Sequence, residues 1–151
     1  MAQVWTSKAK GFFANIERPG IFDEFFEPHV KYQDPFVTLR GLRAVERYYL
    51  LFFKRITQMR LEYVTELEGE SECALFWRMH FKWKRLSLGK SVICEGTSHF
   101  RFNASSGKAY SQRDYLDLGQ LLVENLPLVG KPLEKVKNEV ANFLVGMRVR
   151  D

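Results

Sequence analysis

Ser111-Gln-Arg-Asp-Tyr-Leu-Asp-Leu-Gly-Gln-Leu-Leu122 reads as the end of a strand running into a helix. It carries Asp114 and Asp117 beside Arg113 in an otherwise apolar setting. Upstream of it the apolar pattern has a period of two, which predicts strands near 61–68, 72–85, 90–103 and 108–117. Glu68-Gly69-Glu70, Ser87-Leu88-Gly89 and the 103–107 stretch separate them as hairpin connections, so the sheet is expected to be mainly antiparallel.

Before the strands the spacing is helical. Val4, Phe12, Phe13 and Ile16 predict a helix over 4–17, and Ile21, Phe22, Phe25 and Phe26 a second over 21–27, with Pro19-Gly20 between them. Pro28 is expected to end the second helix, and 29–32 to form a short strand into the Asp34-Pro35 turn. Gly41 precedes a helix over 42–58, where Val45, Tyr48, Tyr49, Phe52, Phe53 and Ile56 form a broad stripe to bury. After the strands come helical stretches at 118–126 and 132–145, divided by Pro127 and Gly130-Lys-Pro132. Helices followed by a strand meander describe an α+β fold, with helices packed on one side of a curved sheet.

A chain of 151 residues is expected to form a single domain, 1–151, with 131–151 as an added C-terminal helix. That helix carries Leu133, Val136, Val140, Phe143 and Leu144 on one side and must bury them as a lid, along the sheet, or on a partner subunit. Composition is that of a soluble globular protein, and 15% aromatic residues can fill a core or line a pocket for a flat apolar ligand. No apolar run is long enough for a membrane span, and the N-terminus lacks the pattern of a signal peptide. With Cys73 and Cys94 as its only cysteines, the chain is expected in a reducing cytoplasm. The net charge of +5 comes from scattered basic residues, the pattern of a solvated surface. Lys82-Trp83-Lys84-Arg85 interleaves basic and aromatic residues, but one hairpin tip makes no nucleic-acid surface, so neither nucleic acid nor membrane is expected as a partner. His29, His80 and His99 lack metal-ligand spacing, and no glycine-rich phosphate loop is present; neither a metal nor an organic cofactor is expected.

Strand 72–85 has two distinct faces. Its odd positions, Cys73, Leu75, Trp77, Met79, Phe81 and Trp83, are all apolar, while its even positions pass from Ala74 and Phe76 to Arg78, His80, Lys82 and Lys84. Alternation alone favours packing the odd face against the helices and leaving the even face in solvent. The alternative places the even face, with Arg78 and His80, inside a funnel-shaped cavity and covers the odd face with a second subunit.

Tyr32-Gln33-Asp34, Arg78-Met79-His80 and Arg113-Asp114-Tyr115-Leu116-Asp117 together resemble the nuclear transport factor 2-like (SnoaL-like) superfamily, nearest its limonene-epoxide hydrolase branch. The resemblance runs from about residue 21 to 130. It implies a cone-shaped (cystatin-like) fold, with three helices in the concave side of a bent sheet, and it favours the even face as the cavity wall. By that resemblance Tyr32, Arg78 and Asp114 match the residues that hold and activate water. Asp34 replaces an Asn, and His80 replaces the Asp that protonates the epoxide. The ketosteroid isomerase branch matches less closely, because its oxyanion-hole acid falls at Ser98. SnoaL-like cyclases share the same cavity.

The resulting expectation is a homodimer that joins through the odd face and binds a small, mostly apolar organic molecule. Asp114, Arg78, His80, Tyr32 and Asp34 form its candidate catalytic set, and Phe76, Ser98, Tyr110, Gln112 and Leu116 its candidate binding set. Asp114 would be the base, held by Arg78 and Tyr32, and His80 the complementary acid, serving isomerisation, cyclisation or water addition. Each has a plainer reading: Arg78 and Asp114 as a structural pair, His80 as a satisfied strand histidine, Asp34 as a turn initiator before Pro35. The rival function is a ligand carrier or protein-binding module. The superfamily pattern also places Cys94 and Ser98 inward, and Cys73, Glu95 and His99 outward.

Overall fold

The structure, a computed structural model, describes residues 4–84, 88–123 and 130–146. Along the chain come α1 (Trp5–Ala14), α2 (Ile21–Phe25), β1 (Phe26–Gln33), β2 (Thr38–Arg40), α3 (Leu42–Arg55), β3 (Ile56–Glu68), β4 (Glu72–Trp83), β5 (Ser91–Phe102) and β6 (Ala109–Leu116). A π-helical turn (Gly119–Val123) and α4 (Gly130–Gly146) follow. The six strands form one sheet in the order β2-β1-β6-β5-β4-β3. Every neighbouring pair is antiparallel except β1 and β6, which run parallel. The expected α+β architecture is present, with an edge strand β2 that is too short to leave a periodic signal.

Aromatic packing fixes the first helices against the sheet. In α1, Trp5, Ala9 and Phe12 recur at helical spacing and are buried. Phe12 stacks on Phe25 at 4.4 Å between ring centroids and meets Phe22 and Phe26 edge-on, while Trp5 stacks on Phe102. Val4 cannot cap the helix, so its exposed N–H groups find an acid elsewhere. The Trp5 and Thr6 backbone amides donate to the Glu68 carboxylate at 2.6 and 2.8 Å, tying α1 to the end of β3. Gly20, at φ +80°, supplies the left-handed residue at the break between α1 and α2.

Three boundaries differ from the pattern. Helix α2 stops at Phe25, and Pro28 lies inside β1, where the pairing with β6 shifts register between Phe26 and Lys31. A proline fits there because it has no amide to give to a ladder. Helix α3 stops at Arg55, and β3 starts at once, with Gln58 at φ +53° in a bulge between Thr57 and Arg60. The stretch expected as a helix over 118–126 is a π-helical turn over 119–123, and 124–126 lie outside the described residues.

Helix α4 rests against the π-helical turn. Val136 and Val140 are exposed, and none of its described side chains lines the cavity, so the lid expected from its stripe is not formed by them. Phe143 and Leu144, also in that stripe, have side chains outside the description. Among the described residues, no helix is long and apolar enough to cross a membrane.

Candidate functional site

The register of the sheet decides which side chains meet. Across β4 and β5, Leu75 lies opposite Ser98, Trp77 opposite Gly96 and Met79 opposite Cys94. Across β5 and β6, Ser98 lies opposite Asp114 and Gly96 opposite Leu116. The odd residues of β4 therefore share a face with the even residues of β5 and β6, and β1 adds Tyr32 beside Gln112. This is the face that α3 covers.

Between α3 and that face lies a cavity of about 420 Å³. Its wall is aromatic: Tyr48, Tyr49, Phe52 and Phe53 from α3, and Trp77, Phe81 and Trp83 from β4. The stripe at 42–58 and the dry face of 72–85 thus face each other, and the space left between their rings is the pocket. Met59, carried by the β3 bulge, and the exposed Phe36, Leu51 and Arg55 form the rim.

The polar end of the cavity holds two carboxyl groups. Tyr32 Oη lies 3.0 Å from Asp34 Oδ2 and 3.1 Å from Asp114 Oδ2, so one phenol bridges the pair. Tyr48 donates to Asp34 Oδ2 at 2.6 Å, and the backbone amides of Phe36 and Val37 donate to Asp34 Oδ1 at 2.7 and 2.8 Å. Asp34 thereby closes its turn with one oxygen and presents the other to the site. Gln112 Nε2 donates to Asp114 Oδ1 at 2.9 Å and to Tyr49 Oη at 2.6 Å. Trp77 Nε1 donates to Ser98 Oγ at 3.0 Å, and the serine hydroxyl is in turn a donor toward Asp114.

Burial pushes the Asp114 carboxyl up to about 6, against the hydrogen bonds from Gln112, Ser98 and Tyr32 that favour its charged form. The nearby Asp34 charge adds to the rise. Tyr32 and Tyr48 are pushed well above the usual phenol range by burial and the same carboxylates, so they remain hydrogen-bond donors. A phenol has one proton and can donate to one carboxylate at a time. Donation to Asp114 favours that group's charged form; when Asp114 is protonated, Tyr32 instead accepts from it and donates to Asp34. Gln112 Oε1 is buried without a partner, and turning the amide over would let it accept from a protonated Asp114 and from Tyr49.

Asp114, Tyr32, Asp34, Ser98, Gln112 and Leu116 therefore come together around one end of the cavity. Arg78, His80, Phe76 and Tyr110 do not. The hairpin register places the even residues of β4 on the outer face, where Arg78 donates to Glu95 at 2.8 and 2.6 Å and His80 stands 3.7 Å from Glu62. The expectation that Arg78 holds Asp114 and that His80 faces it is thus corrected, and without that cation the carboxyl rises instead of falling. Tyr110 is turned out by the register shift between Arg101 and Phe102, and it is exposed. Leu75, Trp77, Met79, Phe81 and Trp83, expected as a subunit interface, face inward instead.

Cys73 also faces inward, like Cys94; both thiols are free, and Cys73 lies opposite Phe100 while Cys94 lies opposite Met79. Burial pushes the Cys94 thiol up to about 12, which makes it an apolar contact and no nucleophile. Trp77, Tyr48 and Tyr49 belong to stripes that the sequence assigns to core or interface, with no part in a site. Their polar tips in a buried stripe are the signal that marks them, since buried Trp and Tyr need partners. Among the described residues no three histidine, cysteine or acidic side chains gather as a metal site.

The SnoaL-like domain family matches residues 14–111, ending just before Asp114. Similar solved structures include a hypothetical protein with a ketosteroid isomerase-like fold from Catenulispora acidiphila, in complex with trimethylamine. It has a TM-score of 0.68 and 14% identity over 80% of this chain and 93% of that chain. A protein from Shewanella denitrificans, provisionally named a SnoaL-like polyketide cyclase, has a TM-score of 0.67 and 10% identity over 77% and 92%. A nuclear transport factor 2-like protein of unknown function from Burkholderia pseudomallei has a TM-score of 0.66 and 16% identity over 81% and 96%. No curated protein matches the chain. At such identities the structures speak for the fold alone, but the family match spans well over half of the 151 residues. The chain belongs to the SnoaL-like domain family, and its fold is that of the nuclear transport factor 2-like and ketosteroid isomerase-like structures.

Proposed function

We propose that the protein binds a small, mostly apolar organic molecule in this cavity and that Asp114 exchanges a proton with it. The observation that carries the reading is one carboxyl group, raised to about 6, at the polar end of an otherwise aromatic pocket. Near neutral pH such a group is populated in both states, as a general base and general acid must be. As base, the Asp114 carboxylate takes the proton from a C–H made acidic by a neighbouring carbonyl. As acid, it returns that proton to another carbon of the enolate, completing an isomerisation, or to the alkoxide oxygen left when the enolate carbon bonds to a second carbonyl in a ring closure. Tyr32, itself bonded to Asp34, holds one oxygen of the carboxyl, Gln112 holds the other, Ser98 donates to the same group, and Leu116 is part of the apolar wall.

One similar structure is provisionally named a SnoaL-like polyketide cyclase and another has a ketosteroid isomerase-like fold, which is in line with this class of chemistry. Epoxide hydrolysis, the finer reading that rested on Arg78 and His80 beside Asp114, loses that support because both lie on the other face. A carrier without catalysis is the second reading. It is favoured by one observation: both oxygens of Asp114 already accept hydrogen bonds from the protein. A homodimer through the outer sheet face, if formed, would use Ile93 and Tyr115, which are exposed there, and not the inward β4 residues.

Native mass spectrometry of the purified protein tests the binding, by the mass of any retained organic molecule. Once that molecule is identified, Asp114→Asn separates the two readings. An enzyme retains the ligand and loses turnover; a carrier retains the ligand and shows no turnover in either form. Retained turnover in a folded Asp114→Asn variant overturns the proton-transfer role.

A further inference from the structure

The charges of the cavity lie at its two ends. Three charged residues line it, Asp34, Asp114 and Arg55. The two acids share the polar end through Tyr32, and Tyr48 of α3 bonds to Asp34 there. Arg55 lies seven residues further along α3, which at the rise of an α-helix is about 10 Å along its axis. There the chain is exposed, and Arg55 ends the helix at the rim.

Arg18, Arg43, Arg78 and Arg101 each reach a carboxylate. Among the described residues Arg40, Arg47, Arg55, Arg60 and Arg113 reach no carboxylate, and of these Arg55 alone lines the cavity. Lys54 and Lys84 stand beside Arg55, with the Lys84 ammonium on the Lys54 carbonyl at 2.9 Å and the Lys84 amide on the Arg55 carbonyl at 3.0 Å. Basic residues in the last turn of a helix also complement its dipole, which accounts for Lys54 and Arg55 being basic. It does not account for an arginine placed at the rim of an aromatic cavity with no carboxylate beside it.

We infer that the ligand is an amphipathic organic anion: an apolar body ending in an acidic group that seats on Arg55 at the rim. This rests on the cavity being a small-molecule site. The acidic end of the pocket fixes the direction of entry, because an anion placed against Asp34 and Asp114 meets like charge in a dry setting. The aromatic wall takes the body, and the end that reaches Asp114 is uncharged, such as a carbonyl or its neighbouring C–H. The guanidinium suits a carboxylate, sulfonate or phosphate, which it can hold with two parallel N–H donors.

A matched pair of fluorescent probes tests the charge alone. 1-Anilinonaphthalene-8-sulfonate and N-phenyl-1-naphthylamine share an aromatic body and differ by the sulfonate. Each is titrated against wild type, Arg55→Gln and Arg47→Gln at low and at moderate salt. Arg47, on α3 but outside the cavity lining, controls for general surface charge. The expected result is one site per chain, with the sulfonate bound more tightly than the neutral probe by about fivefold at low salt, as a partly exposed ion pair allows. Arg55→Gln removes that preference and Arg47→Gln keeps it. Equal binding of the two probes to wild type, or a preference that survives Arg55→Gln, overturns the inference and leaves the apolar site standing. If neither probe binds, the small-molecule reading fails and takes this inference with it.

Discussion

Trp77 donates its indole N–H to Ser98 across the β4–β5 hairpin, at 3.0 Å. The bond can form only if the two side chains share a face, so it ties the odd residues of β4 to the even residues of β5. From that follows the rest of the site. Asp114 lies opposite Ser98 on the next strand and inherits the same face, while Arg78 and His80 are sent to the other. The hydrogen bond also has a chemical effect: a hydroxyl that accepts from Trp77 is left with its own proton to offer to Asp114.

Asp114 should make stability depend on pH. Its folded-state pKa of about 6 lies above the ordinary aspartate value, so the folded protein binds this proton more tightly than the unfolded chain. Below about pH 4 both states are protonated and the group costs nothing. As pH rises toward 6 the unfolded chain ionises first, stability falls, and above 6 a constant penalty remains. A rise from the ordinary aspartate value to about 6 corresponds to a penalty on the order of 2–3 kcal/mol. Asp114→Asn removes that penalty and should raise Tm by about 5 °C at pH 8, with the advantage shrinking to nothing near pH 4. Thermal melts from pH 4 to 8 measure it; a gap independent of pH would show that Asp114 ionises normally.

Tyr32→Phe is expected to move the same titration. The Tyr32 hydroxyl favours the charged form of Asp114, so its removal should push the midpoint above about 6. Asp34 keeps Tyr48 and two backbone amides, so the fold should survive at a cost of about 1 kcal/mol. A carbon-13 NMR titration of the Asp114 carboxyl reads the change directly. An unmoved midpoint would mean that the phenol does not bond to Asp114 in solution.

Arg78→Ala should leave both the fold and the Asp114 titration nearly unaltered. Its partner Glu95 is half exposed on the outer face, where a surface ion pair is screened by water. Trp77→Lys is expected to do the opposite. A charge forced among Leu75, Ser98 and the α3 aromatics should prevent folding, whereas an interface residue would merely release monomers. Soluble, folded Trp77→Lys protein by circular dichroism would reverse the assignment of faces.

Much of this arrangement is legible in the chain. The order of helices and strands follows from the change of period at residue 56–61, and 111–122 does run from a strand into a helical turn. Asp114, Gln112 and Leu116 can be placed together because β6 alternates regularly from Ser111 onward. The error lies in joining two strands. The superfamily pattern puts the even residues of both β4 and β5 inward, and the hairpin register makes those two sets face opposite ways. Alternation within 72–85 carries the better information, since an unbroken apolar face pairs naturally with the apolar stripe of α3. Tyr110 escapes for a different reason: a bulge changes parity without any mark that alternation can register.

Gly96 sits opposite Trp77 on the cavity face and should tolerate no side chain. A Cβ built there would fall 2.6 Å from the Cζ2 of the Trp77 ring and 2.6 Å from the Tyr115 carbonyl oxygen. The carbonyl belongs to a paired strand and cannot withdraw, so the indole would have to move. Moving it breaks the bond to Ser98, and with it the orientation of the hydroxyl beside Asp114. Gly96→Ala should therefore cost about 1–3 kcal/mol, as overpacking does in a close-packed interior. It should also raise the Asp114 midpoint, because a hydrogen bond that favours the charged form is weakened. Ser98→Ala removes the same hydroxyl without crowding the ring, and so should reproduce the shift in pKa with less loss of stability. Thermal melts and the carboxyl titration of both variants decide the matter. If Gly96→Ala is as stable as wild type, the indole does not lie over residue 96, and the Trp77–Ser98–Asp114 chain has to be abandoned.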